Sequence, residues 1–286
     1  AKTFNGEVIS CDSMQIYRRM DIGTAKPTQN EMCGIPHHMI DVVDPDEDFS
    51  VSRYCELATP IVDDILTRGK TAIIAGGTGL YMDSLIKGND FAPTPSTGHR
   101  ERLEEKFAQI GLEGMLAELS AIDPEAAERA QRNPRRVIRA LEVYYETGET
   151  ITAHNLRTQA IPPRYDPLWI GLDFDPRKLL YDRIDMRVDI MLEQGLVDEV
   201  KKLRDAGYHR EMVSMKGLGY KEILAYLEGE MSLEEAVYVL KRDTRHFAKR
   251  QLTWMRREKD VIFLEREPVE TLVERAEKVV KETIMV

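Results

Sequence analysis

The 286-residue chain predicts an α/β fold: a parallel sheet with helices on both faces, and an all-helical block inserted in its middle. Three observations carry this reading. Short apolar runs of strand length alternate with helix-length amphipathic segments in the first third of the chain. A glycine-rich turn follows one of those runs directly. From about Ser96 to Thr150 no strand pattern occurs at all. Strand, helix and strand in succession is how a right-handed βαβ crossover, and hence a parallel sheet, looks in sequence.

The elements follow in order. Ala1–Phe4 reads as the end of a helix. Glu7–Cys11, His38–Val43 and Thr71–Ala75 are apolar runs bounded by polar residues, each read as a buried strand. Between the last two, Ser50 caps a helix with Tyr54, Leu57, Ala58, Ile61 and Ile65 on its apolar face, and Gly69 stops it. In the central block, Asp123-Pro124 and Asn133-Pro134 each pair an N-cap with proline at the first helical position, and Gly148 is a stop. Pro162, Pro163 and Pro167 mark a return linker, and Leu168–Leu172 is a further strand. Pro176 opens a helix with Ile184, Val188 and Met191 on one face. Ser232 and Glu235 form a capping box for a long helix reaching Met255. Val261–Leu264 is the last strand, and Pro268 starts the closing helix. The domains are then 1–95, first part of the core; 96–166, the helical insertion; and 167–286, the second part of the core.

Composition narrows the function. Apolar residues at 42% and charged residues at 31% exclude a disordered polar chain. No apolar run approaches the ~18 residues of a membrane-spanning helix. Cys11, Cys33 and Cys55 are too scattered for a disulfide framework or a zinc site, so a cytoplasmic location is expected. The net charge of −10 speaks against a nucleic-acid partner only until its distribution is considered.

Five segments could carry chemistry. Asp12-Ser13-Met14-Gln15 follows the first strand, where open α/β sheets bind ligands; Asp12 is either a reacting carboxylate or the cap of the next turn. Gly76-Gly77-Thr78-Gly79 could cradle an anion with its amides, or be a tight turn. Lys216-Gly217-Leu218-Gly219-Tyr220-Lys221 is either a loop approaching nucleic acid or a helix start. Two basic stripes stand out. Arg129, Arg132, Arg136 and Arg139 recur at helical spacing, with Arg135 beside them. Lys241, Arg242, Arg245, His246, Lys249, Arg250, Arg256 and Arg257 are interleaved with Phe247 and Trp254 and interrupted by Asp243 as the one acid. Such stripes suit phosphates and unpaired bases, against the plainer reading of solvated surface. The phosphate loop Gly-x-x-x-x-Gly-Lys-Ser/Thr occurs nowhere.

Taken together and in order, Asp12–Tyr17 with Met20–Lys26, Pro36-His37-His38 with Asp41, Gly76–Tyr81, Arg139–Val143, Gly217–Tyr220 and Lys249–Trp254 resemble the tRNA dimethylallyltransferase (tRNA isopentenyltransferase) family over essentially the whole chain. The resemblance implies a P-loop-type, nucleotide-binding core and a helical insertion that grips the tRNA anticodon stem-loop. It implies transfer of a dimethylallyl group from dimethylallyl pyrophosphate to the exocyclic N6 amine of the adenine just 3′ of the anticodon, tRNA position 37. Asp12 would take the proton. Thr78 and Arg100 would assist the departing pyrophosphate, with Mg²⁺ bridging it and Gly76, Gly77 and Thr78 near it; no residue is assigned as a metal ligand. The segments matching the family's RNA contacts are Asp12, Ser13, Met14 and Gln15; Arg135, Arg136, Val137, Ile138 and Arg139; Lys216, Gly217, Leu218, Gly219, Tyr220 and Lys221; and Lys249, Arg250, Gln251, Leu252, Thr253, Trp254, Met255 and Arg256. A monomer with no membrane partner is implied. The family's first strand and phosphate loop find no counterpart in this chain, so about 20–30 further residues, one strand–loop–helix unit, are expected ahead of Ala1. A P-loop nucleotide kinase and a non-catalytic RNA-binding protein are the alternatives.

Overall fold

A computed structural model describes residues 1–88, 97–258, 260–265 and 269–284. The chain divides into two compact units, Ala1–Ile86 with Asp166–Val286, and Lys87–Tyr165.

In the first unit, strand β1 (Gly6–Cys11) is central. It pairs in parallel with β2 (His37–His38), which follows the one-turn helix α1 (Gln29–Met32), and with β3 (Thr71–Gly76). Helix α2 (Val51–Thr67) makes the crossover to β3, with Ser50 accepting from the Arg53 amide as its N-cap. Its buried face is Tyr54, Ala58, Val62 and Ile65, not Leu57 and Ile61. The observed set keeps to one stripe at the helical period, and the other two lie a step round the cylinder. The Tyr54 hydroxyl donates to Ser10 O at 3.1 Å, and its ring stacks on Tyr81 of α3 (Gly79–Lys87) with centroids 4.4 Å apart. One side chain therefore fixes the crossover helix against both the central strand and the helix after the glycine turn.

Two expectations for this region fail. Residues 2–5 form turns rather than a helix end. The predicted second strand stops at His38, because Met39 and Asp41 adopt left-handed backbone (φ 60° and 55°) that a strand cannot contain. Val43 still bridges to Tyr17.

Within β1, Glu7 gathers three partners: Arg68 in a two-pronged pair (2.5 and 3.0 Å), Lys70 at 2.7 Å and His38 Nε2 at 2.9 Å. The Arg68 guanidinium first, then Lys70 and His38, hold this carboxyl well below the usual carboxylate range. A depressed folded-state pKa stabilises above the unfolded value, about 4.3, and that stability is lost as pH falls through it toward the folded value. Glu7→Gln is expected to lower the urea midpoint at neutral pH and to flatten its decline below pH ~5. Parallel midpoint-against-pH curves for variant and wild type would count against this account.

The regular elements described in the second unit are all helices: α4 (His99–Ile122), α5 (Pro124–Arg129), α6 (Pro134–Thr147) and α7 (Ile151–Gln159). Leu103, Met115, Leu119, Ala126, Val137 and Leu141 form its core. Both expected proline-led starts occur: Asp123 accepts from Ala126 N, and Asn133 from Arg135 N. Asp123 also accepts from the Thr152 amide and hydroxyl, tying α7 to α5. Gly148 ends α6 with φ 73°. The unit begins at Lys87 rather than 96.

The chain then returns through β4 (Ile170–Asp173), α8 (Arg177–Glu193), α9 (Leu196–Asp205), α10 (Tyr220–Leu227), α11 (Leu233–Met255), β5 (Ile262–Glu265) and α12 (Val269–Ile284). Ser232 and Glu235 cap α11 reciprocally, as expected. Pro268, the expected start of the last helix, lies outside the described residues. β4 and β5 pair in parallel with each other, so the described strands form two small parallel sheets rather than one. No described helix is long and apolar enough to cross a membrane.

Candidate active site

The candidate site is built on the ends of β1 and β3. Cys11 and Gly76 are register partners, and the chain leaves both strands at the same level. Asp12 is the first residue past β1. Its Oδ1 accepts from the amides of Met14 (2.8 Å) and Gln15 (3.3 Å), while Oδ2 has no partner among the described residues. The capping reading of Asp12 is thus observed: one oxygen caps the turn, and the other makes no bond within the described residues.

The turn after β3 comes to meet it. The Thr78 amide donates to Cys11 O at 3.1 Å. Thr78 Oγ1 accepts from the Ser13 amide at 3.1 Å and donates to Ser13 Oγ at 3.4 Å. The two segments thus form one bonded unit. This corrects the anion-cradle expectation at one position, because the Thr78 amide is turned onto a carbonyl and its hydroxyl onto Ser13.

The segment from Gln15 to Lys26 has no helix or strand, yet it is heavily tied. Gln15 Nε2 donates to Thr24 O and Ala25 O at 3.3 and 3.4 Å, and its Oε1 accepts from Ser10 Oγ. Lys26 buries its ammonium against Tyr17 O (2.9 Å), Asp21 (2.6 Å) and Asp41 (2.6 Å). Glu199 of α9 accepts from the successive amides of Asp21, Ile22 and Gly23 and from the Tyr220 hydroxyl. Burial pushes that Tyr220 hydroxyl far up, so it stays a donor.

The remaining expected residues separate by where their side chains point. Tyr220 and Leu252 are buried, so neither side chain is available to RNA. Gln15 is committed within its loop. Gly217 lies against the Met14 thioether, which brings the 216–221 segment to the Asp12 turn, and Gly219 (φ 90°) opens α10 with its amide on Glu222. That segment is thus a helix start. On α11, Gln251 Nε2 donates to Gly77 O at 3.1 Å, and Trp254 Nε1 donates to Asp83 at 3.2 Å while its ring covers Gly79. Lys249, Arg250 and Thr253 face solvent.

The basic stripes are less free than they read. Lys241 pairs with Asp189 and Arg245 with Asp185, both from α8; Arg242 pairs with Asp243 and Arg256 with Asp173. Lys249 and Arg257 have no acidic partner among the described residues, and Arg250 lies over Phe247 (5.5 Å). The first stripe does not lie on one helix. Arg129 ends α5 and pairs with Glu125, Arg132 sits between the helices and pairs with Glu113, and α6 carries the rest. Val137 and Ile138 are core residues of that unit, contrary to their expected RNA contact, while Arg135 and Arg136 are exposed.

Arg100 belongs to α4, where it pairs with Glu104 (3.2 Å) and Glu142 (3.6 Å). Glu142 also takes Arg139 at 2.9 Å and is only 4% exposed. Glu142 and Glu199 were not singled out from sequence. The Arg139–Glu142 spacing on a helix was the one available signal for the first; nothing local marks the second. The described residues hold no group of three or more His, Cys, Asp or Glu that could bind a metal ion, so they do not by themselves assemble a set of ligands for Mg²⁺.

The family model for IPP transferase matches residues 15–258. The chain is 50% identical over 283 residues to a tRNA dimethylallyltransferase of Acetivibrio thermocellus, covering 98% of this chain and 89% of that protein. It is 48% identical over 277 residues to one from Desulforamulus reducens, covering 96% and 97%. Among solved structures, it resembles a tRNA isopentenylpyrophosphate transferase of Bacillus halodurans at 43% identity and TM-score 0.72, covering 99% of this chain and 89% of that one. It also resembles a eukaryotic dimethylallyltransferase acting on tRNA at 29% identity and TM-score 0.83, covering 98% and 72%.

Proposed function

The chain belongs to the IPP transferase family, and from that membership we propose that it moves the dimethylallyl group of dimethylallyl pyrophosphate onto the N6 amine of the adenine 3′-adjacent to the tRNA anticodon. The observation that carries the mechanism is Asp12, at the end of β1, with one carboxylate oxygen locked by two amides and the other without a partner among the described residues.

The adenine is flipped out of the anticodon loop to expose its amine. The amine nitrogen bonds to the allylic carbon as that carbon's bond to the pyrophosphate oxygen breaks. Pyrophosphate leaves with the bonding electrons, and Asp12 Oδ2 takes the proton that the nitrogen releases. A carboxylate suffices because the nitrogen becomes cationic, and so strongly acidic, only as the new bond forms. The growing charge on the leaving group is the larger electrostatic task. Arg100 is assigned to it. Thr78, whose hydroxyl serves Ser13, acts chiefly by holding Asp12 in place. Mg²⁺ would arrive with the pyrophosphate oxygens, and no step is assigned to it.

The proposal includes a monomeric, cytoplasmic enzyme whose helical unit meets the anticodon stem through Arg135 and Arg136. Incubation with tRNA and dimethylallyl pyrophosphate should yield one prenylated adenosine per tRNA by nucleoside mass spectrometry. Phosphate transfer from ATP to a nucleotide would favour the kinase reading instead, and tRNA binding without transfer the RNA-binding one.

The free end of α11 gives a second test. Replacing Lys249 and Arg250 by Ala should weaken tRNA binding and reduce the log–log salt slope by roughly two units at most. Arg245→Ala, removing a cation already paired with Asp185, should change the slope less. Equal effects from both variants would refute this division of the stripe.

A further inference from the structure

Within the segment Lys249–Arg256, Gln251 and Trp254 of α11 are one helical step apart and half-buried, whereas Lys249 and Arg250 are exposed. The Gln251 and Trp254 side chains lie on the turn after β3. Gln251 donates to Gly77 O, and a Cβ on Gly77 would collide with the Gln251 amide. A Cβ on Gly79 would collide with the Trp254 indole, whose N–H is fixed by Asp83 and whose ring meets Trp169 edge-on at 5.9 Å. The glycines of this turn are thus explained at two positions by the close approach of α11. They need no anion to account for them. The same turn, through Thr78, holds the Ser13 amide next to Asp12.

We propose that Gln251 and Trp254 are positioning residues. They press the Gly77–Gly79 turn into the shape that lets Thr78 clamp Ser13, and so set the aim of the Asp12 carboxylate. The idea rests on the transferase reading, since it concerns the aim of that reaction's base. It adds a division of labour within α11: the exposed Lys249 and Arg250 take the polynucleotide, and Gln251 and Trp254 brace the catalytic turn. Because all four belong to one rigid helix, displacement of α11 would disturb binding and base alignment together.

The test separates bracing from RNA contact. Gln251→Leu removes the donor to Gly77 O while keeping similar bulk, and Trp254→Phe removes the N–H while keeping a ring. Both should lower single-turnover rate about 10- to 100-fold, the scale of a misplaced reacting group. The tRNA Kd and its salt slope should stay within about 2-fold of wild type, since phosphate contacts are untouched. A raised Kd with an unchanged rate would overturn the proposal in favour of direct RNA contact, and so would no change in either. A second measurement does not depend on activity. In a thermal-stability cycle, Gly77→Ala should destabilise the wild type and cost clearly less in a Gln251→Ala background, because the colliding amide is gone. Additive effects would overturn the packing on which the proposal stands. If wild type transfers no prenyl group, the transferase reading fails, while the cycle still reports on the brace.

Discussion

Asp12→Asn should reduce single-turnover transfer by about 10²–10⁴-fold, the usual contribution of a positioned general base. The geometry makes this a clean substitution. The amide oxygen of Asn can accept from the Met14 and Gln15 amides as Oδ1 does now, so the turn should keep its shape. What is lost is the second oxygen, replaced by an NH₂ group that cannot take a proton. Thermal midpoint and tRNA affinity should therefore match wild type. Asp12→Ala should be as inactive and also less stable, since two half-buried amides lose their acceptor. An Asp12→Asn enzyme turning over within a few-fold of wild type at saturating substrates would remove Asp12 from the role of base.

Gly76→Ala should have the next largest effect, and it should reach both folding and catalysis. Gly76 is paired in register with Cys11, and a Cβ there would overlap the Cys11 carbonyl carbon and oxygen. Both partners are backbone at the ends of adjacent strands, so no side chain can swing away. Overpacking of this kind costs about 1–3 kcal/mol. The shift lands on the peptide directly before Asp12 and on the oxygen that receives the Thr78 amide. A lowered thermal midpoint with a rate loss exceeding 10-fold is expected, because misalignment of reacting groups is amplified in rate. Wild-type melting and wild-type turnover in this variant would show that the strand ends can separate without consequence.

Features written in local spacing were legible in the sequence. The β1 and β3 runs, the proline-led caps at Asp123 and Asn133, and the Ser232–Glu235 box each depend on residues a few positions apart, and each occurs as read. The position of Asp12 at the end of β1 was likewise legible, because a strand end is a place as well as a pattern. The failures have a common cause in distance along the chain. The α11 stripe read as unopposed cations because Asp185, Asp189 and Asp173, which pair with Arg245, Lys241 and Arg256, arrive from elsewhere in the sequence. Motif membership likewise does not say which way a side chain points. Val137, Ile138, Tyr220 and Leu252 sit among cationic neighbours in sequence and in the core in space. The second strand failed for a different reason: its apolar pattern was right, but left-handed backbone at Met39 and Asp41 bends the chain out of the sheet.

The segment between Gln15 and Lys26 is irregular in outline, but it is not loose. Three consecutive amides end on one Glu199 carboxylate, and the Lys26 ammonium is enclosed by a carbonyl and two carboxylates. Ordering a backbone residue costs roughly 1–2 kcal/mol of conformational entropy. Here that cost is met once, when the protein folds, and is not charged again to each catalytic cycle. Hydrogen exchange at Asp21, Ile22 and Gly23 should accordingly be slow despite their surface position. Under the proposed function, the RNA is then the partner that must rearrange, a flexible strand settling on a stiff template.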